Sequence, residues 1–239
     1  MKTFTKLRST FTILSALALL AGVPTADATN YTWSGSSNVN ISKNTNWNPS
    51  LTAFSSSDLA IWDSATYTNS PWVNVNISIG ELLFGSNNTG GVTFGSDGTG
   101  ASNGIISLSG IAGIGIQMNN NSGAVNLGSS ARFSLGASQI WINNSTNSLT
   151  INNTITGADN ITARTLTIDG TGNTSLGGVI SNGGAVGTTA LTKNGSATLT
   201  LSATNTYTGA TTVNAGTLSL TGTVASTSVA VNGGALRAL

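Results

Sequence analysis

The last fifty residues of the chain repeat a short unit of strand and turn, and this periodicity limits the fold more than any single residue does. Segments such as Thr198–Leu201, Thr217–Leu220 and Val229–Val231 alternate apolar residues with small ones, and turns rich in Asn and Gly separate them. Apolar residues two positions apart place one face of a short strand in a core, and Asn-Gly or Gly-Gly ends the strand. The pattern therefore predicts an all-β array of stacked repeats.

One part of this region has a more specific pattern. Its features are Leu191, Lys193, Gly195, the LTL of residues 199–201, the NTYTG of 205–209, the TTVNAGTL of 211–218 and Leu220. With these features, Leu191–Leu220 resembles the autotransporter-associated β-strand repeat, also called the passenger-associated transport repeat. Ala203 and Ala210 stand where glycine is more usual, but neither interrupts the strand pattern. The resemblance implies a secreted, right-handed parallel β-helix of the cell surface or outer membrane, and it brings no catalytic residue with it.

The N-terminus has the pattern of a secretory signal peptide. Three basic residues precede the apolar stretch Phe11–Val23, and Ala26-Asp27-Ala28 has the small-x-small form of a cleavage site. The alternative is an uncleaved anchor, but the apolar stretch is shorter than the roughly 20 residues that a spanning helix needs. We therefore predict a signal peptide over residues 1–28, a mature start at Thr29, export to the cell surface or medium, and no transmembrane segment in the mature chain.

Composition excludes several function classes. The whole chain has 8 basic and 7 acidic residues, and removing residues 1–28 takes away Lys2, Lys6, Arg8 and Asp27, which leaves a net charge of −1. A surface without excess positive charge cannot neutralise phosphates, so nucleic acid is not an expected partner. The chain contains neither histidine nor cysteine. Thiol nucleophiles, His-dependent triads, imidazole or thiolate metal sites and disulfides are therefore excluded, and no cofactor is expected.

Tryptophan is concentrated near the mature N-terminus. Four of the five tryptophans are Trp33, Trp47, Trp62 and Trp72, set among Asn and Ser. Large aromatic side chains can close the open core and unpaired edge at the end of a β-helix, which is the interpretation that we favour. The alternative is a carbohydrate-binding platform, in which these four rings would stack on sugars.

These observations divide the chain into four segments. We predict a signal peptide over 1–28, a Trp-rich cap over 29–72, irregular β-helix rungs over 73–190, and the recognised repeat over 191–239. At about 20 residues per rung, the mature chain would form roughly ten rungs. Because Val229–Leu239 opens a further repeat and stops within it, we expect the sequence to be truncated.

Acidic residues are too few and too scattered to predict an active site. A glycosidase needs two carboxylates about 5–10 Å apart, and a β-helical lyase would need a carboxylate cluster that holds calcium. Residues one rung apart stack, so Asp63 and Glu81 come nearest to a pair, whereas Asp159 and Asp169 flank Arg164 and suggest a surface ion pair. The expected function is non-catalytic, adhesive or surface-coating, with surface glycans or other copies of the chain as partners. A carbohydrate-binding module is the alternative, and a polysaccharide lyase or glycosidase is less favoured.

Overall fold

The computed structural model describes residues 28–36, 40–67, 70–95, 104–128 and 131–239. The predicted signal peptide lies almost wholly outside these residues. The described part contains 24 β-strands and one short 3₁₀ turn at Asn44–Asn46.

The strands, numbered in chain order, form three long sheets and one small pair. Sheet 1 has ten strands: β1 (Asn30–Trp33), β2 (Trp47–Asn48), β3 (Leu59–Trp62), β5 (Glu81–Phe84), β8 (Ile114–Met118), β11 (Gln139–Asn143), β14 (Arg164–Gly170), β17 (Thr189–Lys193), β20 (Thr211–Val213) and β23 (Val229–Val231). Sheet 2 has five: β4 (Ile77–Ile79), β7 (Gly104–Leu108), β10 (Ala131–Leu135), β13 (Ile155–Gly157) and β16 (Ile180–Ser181). Sheet 3 has seven: β6 (Val92–Phe94), β9 (Val125–Leu127), β12 (Leu149–Ile151), β15 (Thr174–Leu176), β18 (Thr198–Leu201), β21 (Thr217–Leu220) and β24 (Ala235–Ala238). The small pair is β19 (Thr204–Asn205) with β22 (Thr223–Val224).

Successive strands along the chain pass from sheet to sheet. Apart from β2, which pairs antiparallel with β1, paired strands are parallel and lie one turn apart along the chain. Leu199 of β18 pairs with Leu218 of β21, and Leu218 pairs with Leu236 of β24. The chain is thus a parallel β-helix, as the repeat pattern predicts, and each turn of chain around it is called a rung below. Parallel stacking satisfies the backbone groups of each rung on both sides.

Rung length varies more than the sequence predicts. Leu191 pairs with Thr211 and Thr211 with Val229, which are rungs of 20 and 18 residues. Nearer the N-terminus, Leu82 pairs with Ile116, a rung of 34 residues. The uniform value of about 20 is therefore wrong outside the C-terminal rungs, because the N-terminal rungs contain longer loops between their strands.

The interior of the helix is a continuous apolar column. In sheet 1, Leu82, Ile116, Trp141 and Ile168 lie in register on four consecutive rungs, and all are buried. Alternate residues face outward, and in sheet 3 these are mostly hydroxyl and amide side chains in register: Thr93, Asn126, Thr150, Ser175, Thr200 and Ser219. The outward face of sheet 3 is polar yet uncharged from β6 to β21.

Candidate functional site

Three of the four N-terminal tryptophans lie in the core. Trp33, Trp47 and Trp62 are 1%, 3% and 0% exposed. The rings of Trp33 and Trp47 meet edge to face with centroids 5.0 Å apart, and the Trp47 and Trp62 centroids are 5.4 Å apart. Trp62 also stacks on Phe84 of the following rung, at 5.2 Å. Edge-to-face and stacked aromatic contacts of this kind add to the stability that burial provides.

The backbone around these rings closes the N-terminal end of sheet 1. Strand β2 turns back and pairs antiparallel with β1, so that Trp33 lies opposite Trp47. The indole N–H of Trp47 donates to the carbonyl oxygen of Ile41 at 2.7 Å. Strand β2 is thus the last strand of sheet 1 at this end, and it is only two residues long, which limits how well the edge can pair with another chain. This arrangement favours the cap interpretation of the aromatic cluster.

A sugar platform made of all four rings does not fit this packing. Stacking on a pyranose requires an exposed ring face, and Trp33, Trp47 and Trp62 have none. Trp72 is half-buried, and its indole N–H is buried without a hydrogen-bond partner among the described residues. Only Trp72 of the four therefore retains an accessible surface that could contact a glycan.

The two carboxylates closest to a pair in the sequence are separated in the structure. Trp62 pairs with Phe84, so Asp63 lies beside Gly85, while Glu81 lies opposite Leu59. The expected stacking of Asp63 on Glu81 is therefore wrong, because this rung has 22 residues rather than 18. Both oxygens of Asp63 accept hydrogen bonds from Asn87, its backbone N–H at 2.8 Å and its side-chain amide at 3.0 Å.

Glu81 is a buried acidic residue that the sequence did not distinguish from the others. It is 8% exposed, and no hydrogen bond to its carboxylate is found in the described part of the chain. Burial raises the pKa of the Glu81 carboxyl to about 7, because a low-dielectric surrounding disfavours the charged form. Glu81 can therefore exchange a proton near neutral pH, and the residue opposite it on the preceding rung is the apolar Leu59.

The predicted ion pair is present on the surface. Arg164 Nη2 contacts Asp159 Oδ2 at 2.9 Å. Hydrogen bonds from Thr162, through its backbone N–H and its hydroxyl, are the main reason that the pKa of Asp159 is lowered, and Arg164 contributes less. Among the described residues, no group of three or more acidic side chains is placed to hold a metal ion.

The repeat segment contains buried polar residues that join neighbouring rungs. Lys193 is 2% exposed, and its Nζ donates to the carbonyl oxygens of Gly195 and, at 3.5 Å, of Ala215 on the next rung. Burial lowers the pKa of Lys193, and nearby Asp169 partly offsets this effect. A lysine inside an apolar column is tolerated because its ammonium group reaches two turn carbonyls.

The NTYTG turn of the repeat is also fixed from within. Asn205 Oδ1 accepts from the backbone N–H of Ile180 at 2.9 Å, and its Nδ2 donates to the carbonyl oxygens of Ala203 and Thr223. Tyr207 is buried, and its hydroxyl hydrogen-bonds to Thr211 Oγ1 at 2.8 Å. A Cβ at Gly209 would lie 2.5 Å from the carbonyl oxygen of Thr189, so only glycine fits there.

Comparison with known protein families gives a match in the C-terminal part of the chain. The family model of the passenger-associated transport repeat matches residues 191–220, which confirms the resemblance of this segment. No curated protein and no solved structure matches the chain. The repeat and the parallel β-helix together support a structural protein of the autotransporter-passenger type, and the repeat suggests a surface or secreted location. In the part of the chain that the structure describes, no helix is both long and apolar enough to cross a lipid bilayer.

Proposed function

We propose that this chain is an exported, non-catalytic β-helical passenger that coats the cell surface or mediates adhesion. The observation that supports this most is the position of the recognised repeat. Its strands β17, β18, β20 and β21 continue the same sheets as the preceding rungs. The repeat is therefore part of one continuous rod rather than a separate module.

The outward face of the rod supports contact with many weak partners. The in-register column of sheet 3 presents one uncharged hydroxyl or amide group per rung, about 4.8 Å apart. Each such group binds weakly, and repetition along one rigid rod multiplies the effect. The proposed partners are surface glycans or other copies of the chain.

The location can be tested on intact cells that produce the complete gene product. Proteinase K added outside the cells should remove the epitope of an antibody raised against residues 191–220, while a cytoplasmic marker stays intact. An epitope that is digested only after lysis would contradict export to the surface.

The adhesive and non-catalytic parts need separate measurements. Beads coated with the purified chain should be retained on a glycan array more strongly than beads coated with an unrelated exported protein of similar charge. Incubation with polyuronides and calcium should release no unsaturated sugar product. Release of such products would overturn the non-catalytic assignment, and Glu81→Gln would then be the first variant to assay.

A further inference from the structure

Four Asn-Gly dipeptides occur in the sequence, at residues 103–104, 182–183, 194–195 and 232–233. Asparagine is one of the chemically labile residues of proteins. A glycine after it increases this lability, because a residue without a Cβ lets its backbone nitrogen approach the asparagine side chain. Asn103 lies outside the described residues, so the structure allows the other three dipeptides to be compared.

Loss of the side-chain amide requires contact between the asparagine Cγ and the backbone nitrogen of the next residue. This nitrogen gives its proton to solvent base and forms a bond to Cγ, and the bond from Cγ to Nδ2 breaks as Nδ2 takes up a proton and leaves as ammonia. Water then opens the resulting succinimide ring at either carbonyl, which gives aspartate or isoaspartate. Water is the only reactant added. The side chain must therefore be free to rotate toward its own backbone.

Asn182 is held in place by three hydrogen bonds. Its Oδ1 accepts from the backbone N–H groups of Thr189 and Thr208, at 2.9 and 3.1 Å, and its Nδ2 donates to Thr208 Oγ1 at 2.9 Å. Rotation of the side chain toward Gly183 would break all of these bonds together. The folded chain therefore protects this dipeptide.

Asn194 and Gly195 are fixed by the rungs on both sides. Asn194 Oδ1 accepts from Asn214 Nδ2 on the following rung at 2.8 Å. Gly195 is buried, and it packs so closely on the preceding rung that a Cβ there would clash with the carbonyl oxygen of Gly170. The ammonium group of Lys193 also donates to the carbonyl oxygen of Gly195. This turn therefore cannot change shape without opening the stack.

Asn232 and Gly233 differ from the other two dipeptides because both residues are exposed. One hydrogen bond restrains the side chain, from Asn232 Nδ2 to Asn214 Oδ1 at 2.8 Å. No hydrogen bond from the backbone N–H of Gly233 is found in the described part of the chain. Local opening at an exposed turn costs little free energy, and breaking one surface bond frees both reacting groups.

We propose that Asn232 is a deamidation site, at which the folded chain converts spontaneously to aspartate and isoaspartate while Asn182 and Asn194 keep their amides. The product lacks the Nδ2 donor, so acceptor oxygens of residue 232 and Asn214 then face each other. The chain also gains one negative charge at this turn. Deamidation thus removes a link between the rungs of β20 and β23 and leaves the buried core unchanged.

The three dipeptides can be compared within one sample of the mature chain. After incubation in mildly alkaline buffer, peptide mass spectrometry and methylation by an isoaspartate-specific methyltransferase measure each site. We expect deamidation of Asn232 to be at least about tenfold faster than that of Asn182 or Asn194. The rate should rise with pH, because the attacking nitrogen must lose its proton. In urea, where no fold protects them, the three sites should react at similar rates.

Two variants test the role of the side chains. Asn232→Gln keeps an exposed amide but lengthens the side chain, which disfavours ring closure, so deamidation at this turn should be lost. Asn214→Ala removes the partner of both Asn194 and Asn232. Deamidation of Asn232 should then be roughly two- to tenfold faster, as expected for the loss of one surface hydrogen bond. Asn194 should stay protected, because Gly195 remains buried.

Several outcomes would overturn the proposal. Equal rates at Asn232 and Asn194 in the folded chain would show that the fold does not select the site. The same holds if the Asn232 amide survives in the folded chain as long as that of Asn194 while urea converts both. An isoaspartate signal that is unchanged in Asn232→Gln would assign the modification to another residue.

Discussion

The side-chain amide of Asn205 donates to the carbonyl oxygen of Thr223 on the next rung at 3.1 Å. The same amide group bonds to Ala203, and its oxygen accepts from Ile180 on the preceding rung. One buried side chain therefore links three successive rungs. In a stack where each rung touches only its neighbours, such links supply much of the cooperativity between repeats.

Asn205→Asp keeps the size of the side chain but removes both of its donors and introduces a buried charge. We expect a loss of unfolding free energy on the order of 3 kcal/mol at neutral pH. Urea denaturation measures this loss. The matched control is Asn214→Asp. Asn214 is exposed and donates to Asn194 Oδ1 on the preceding rung at 2.8 Å, so this variant should change stability by less than about 1 kcal/mol. Equal losses for the two variants would contradict the rung-linking role of Asn205.

The alternation in β18 gives a second prediction. Leu201 is fully buried, whereas Thr200 is half-buried on the outward face. Leu201→Asp should cost well over the roughly 1.5–3 kcal/mol of lost burial, because it also buries a charge. Thr200→Asp should cost little. Thermal unfolding followed by circular dichroism compares the two variants, and equal midpoints would be incompatible with the inward and outward assignment.

Structural features that depend on residues close together in the sequence could be predicted. Features that depend on contacts between distant residues could not. The LTL alternation of residues 199–201 predicts a buried strand face because side-chain direction alternates along any strand. The alternating residues Val73, Val75, Ile77 and Ile79 would predict one longer buried strand in the same way. Only Ile77–Ile79 forms a strand, and Val75 is exposed. The exposure of Val75 depends on how distant parts of the chain pack, and the residues next to it in the sequence do not reveal it.

The buried polar residues were the hardest to predict. Lys193 and Asn205 belong to the recognised repeat, but their partners Ala215 and Thr223 lie on the following rung. Whether a lysine is buried therefore depends on which carbonyls the next turn presents. The same limit explains why the predicted stacking of Asp63 on Glu81 is wrong. A longer rung shifts the register, and it separates residues that a uniform repeat would stack.

The aromatic cap can be tested by truncating its rings. Trp62→Ala removes a fully buried ring that contacts Trp47 and Phe84, and it should lower stability by about 3–5 kcal/mol. Trp72→Ala removes a half-buried ring and should cost clearly less. Both variants are compared by thermal unfolding and by binding to a glycan array. A Trp62→Ala protein that folds normally but loses glycan binding would support the platform instead of the cap.

The titration of Glu81 predicts a dependence of stability on pH. Burial raises the pKa of Glu81 from 4.5 to about 7 in the folded chain. Well below pH 4.5 the carboxyl is protonated in both the folded and unfolded states, so Glu81 does not lower the free energy of unfolding there. Between pH 4.5 and 7 the unfolded state loses its proton first, and stability falls as the pH rises.

Glu81→Gln should remove this loss. We expect the variant to be more stable than the natural chain above pH 7, by on the order of 2 kcal/mol, and equal to it at pH 4. Urea midpoints measured across this range provide the comparison, with the low-pH value as the internal control. A difference between the two chains that does not vary with pH would count against a buried, proton-binding Glu81.

Parallel, in-register stacking of rungs is the central claim, and paired cysteines test it most directly because the chain has none of its own. Thr200 and Ser219 face outward and lie opposite each other on adjacent rungs, about 4.8 Å apart, within the range that a disulfide can bridge. Thr200→Cys with Ser219→Cys should therefore form an intramolecular disulfide under mild oxidation. Thr200→Cys with Arg237→Cys spans two rungs and should remain reduced. A folded Thr200→Cys/Ser219→Cys chain that does not cross-link, or equal cross-linking of the two pairs, would contradict the β-helix described above.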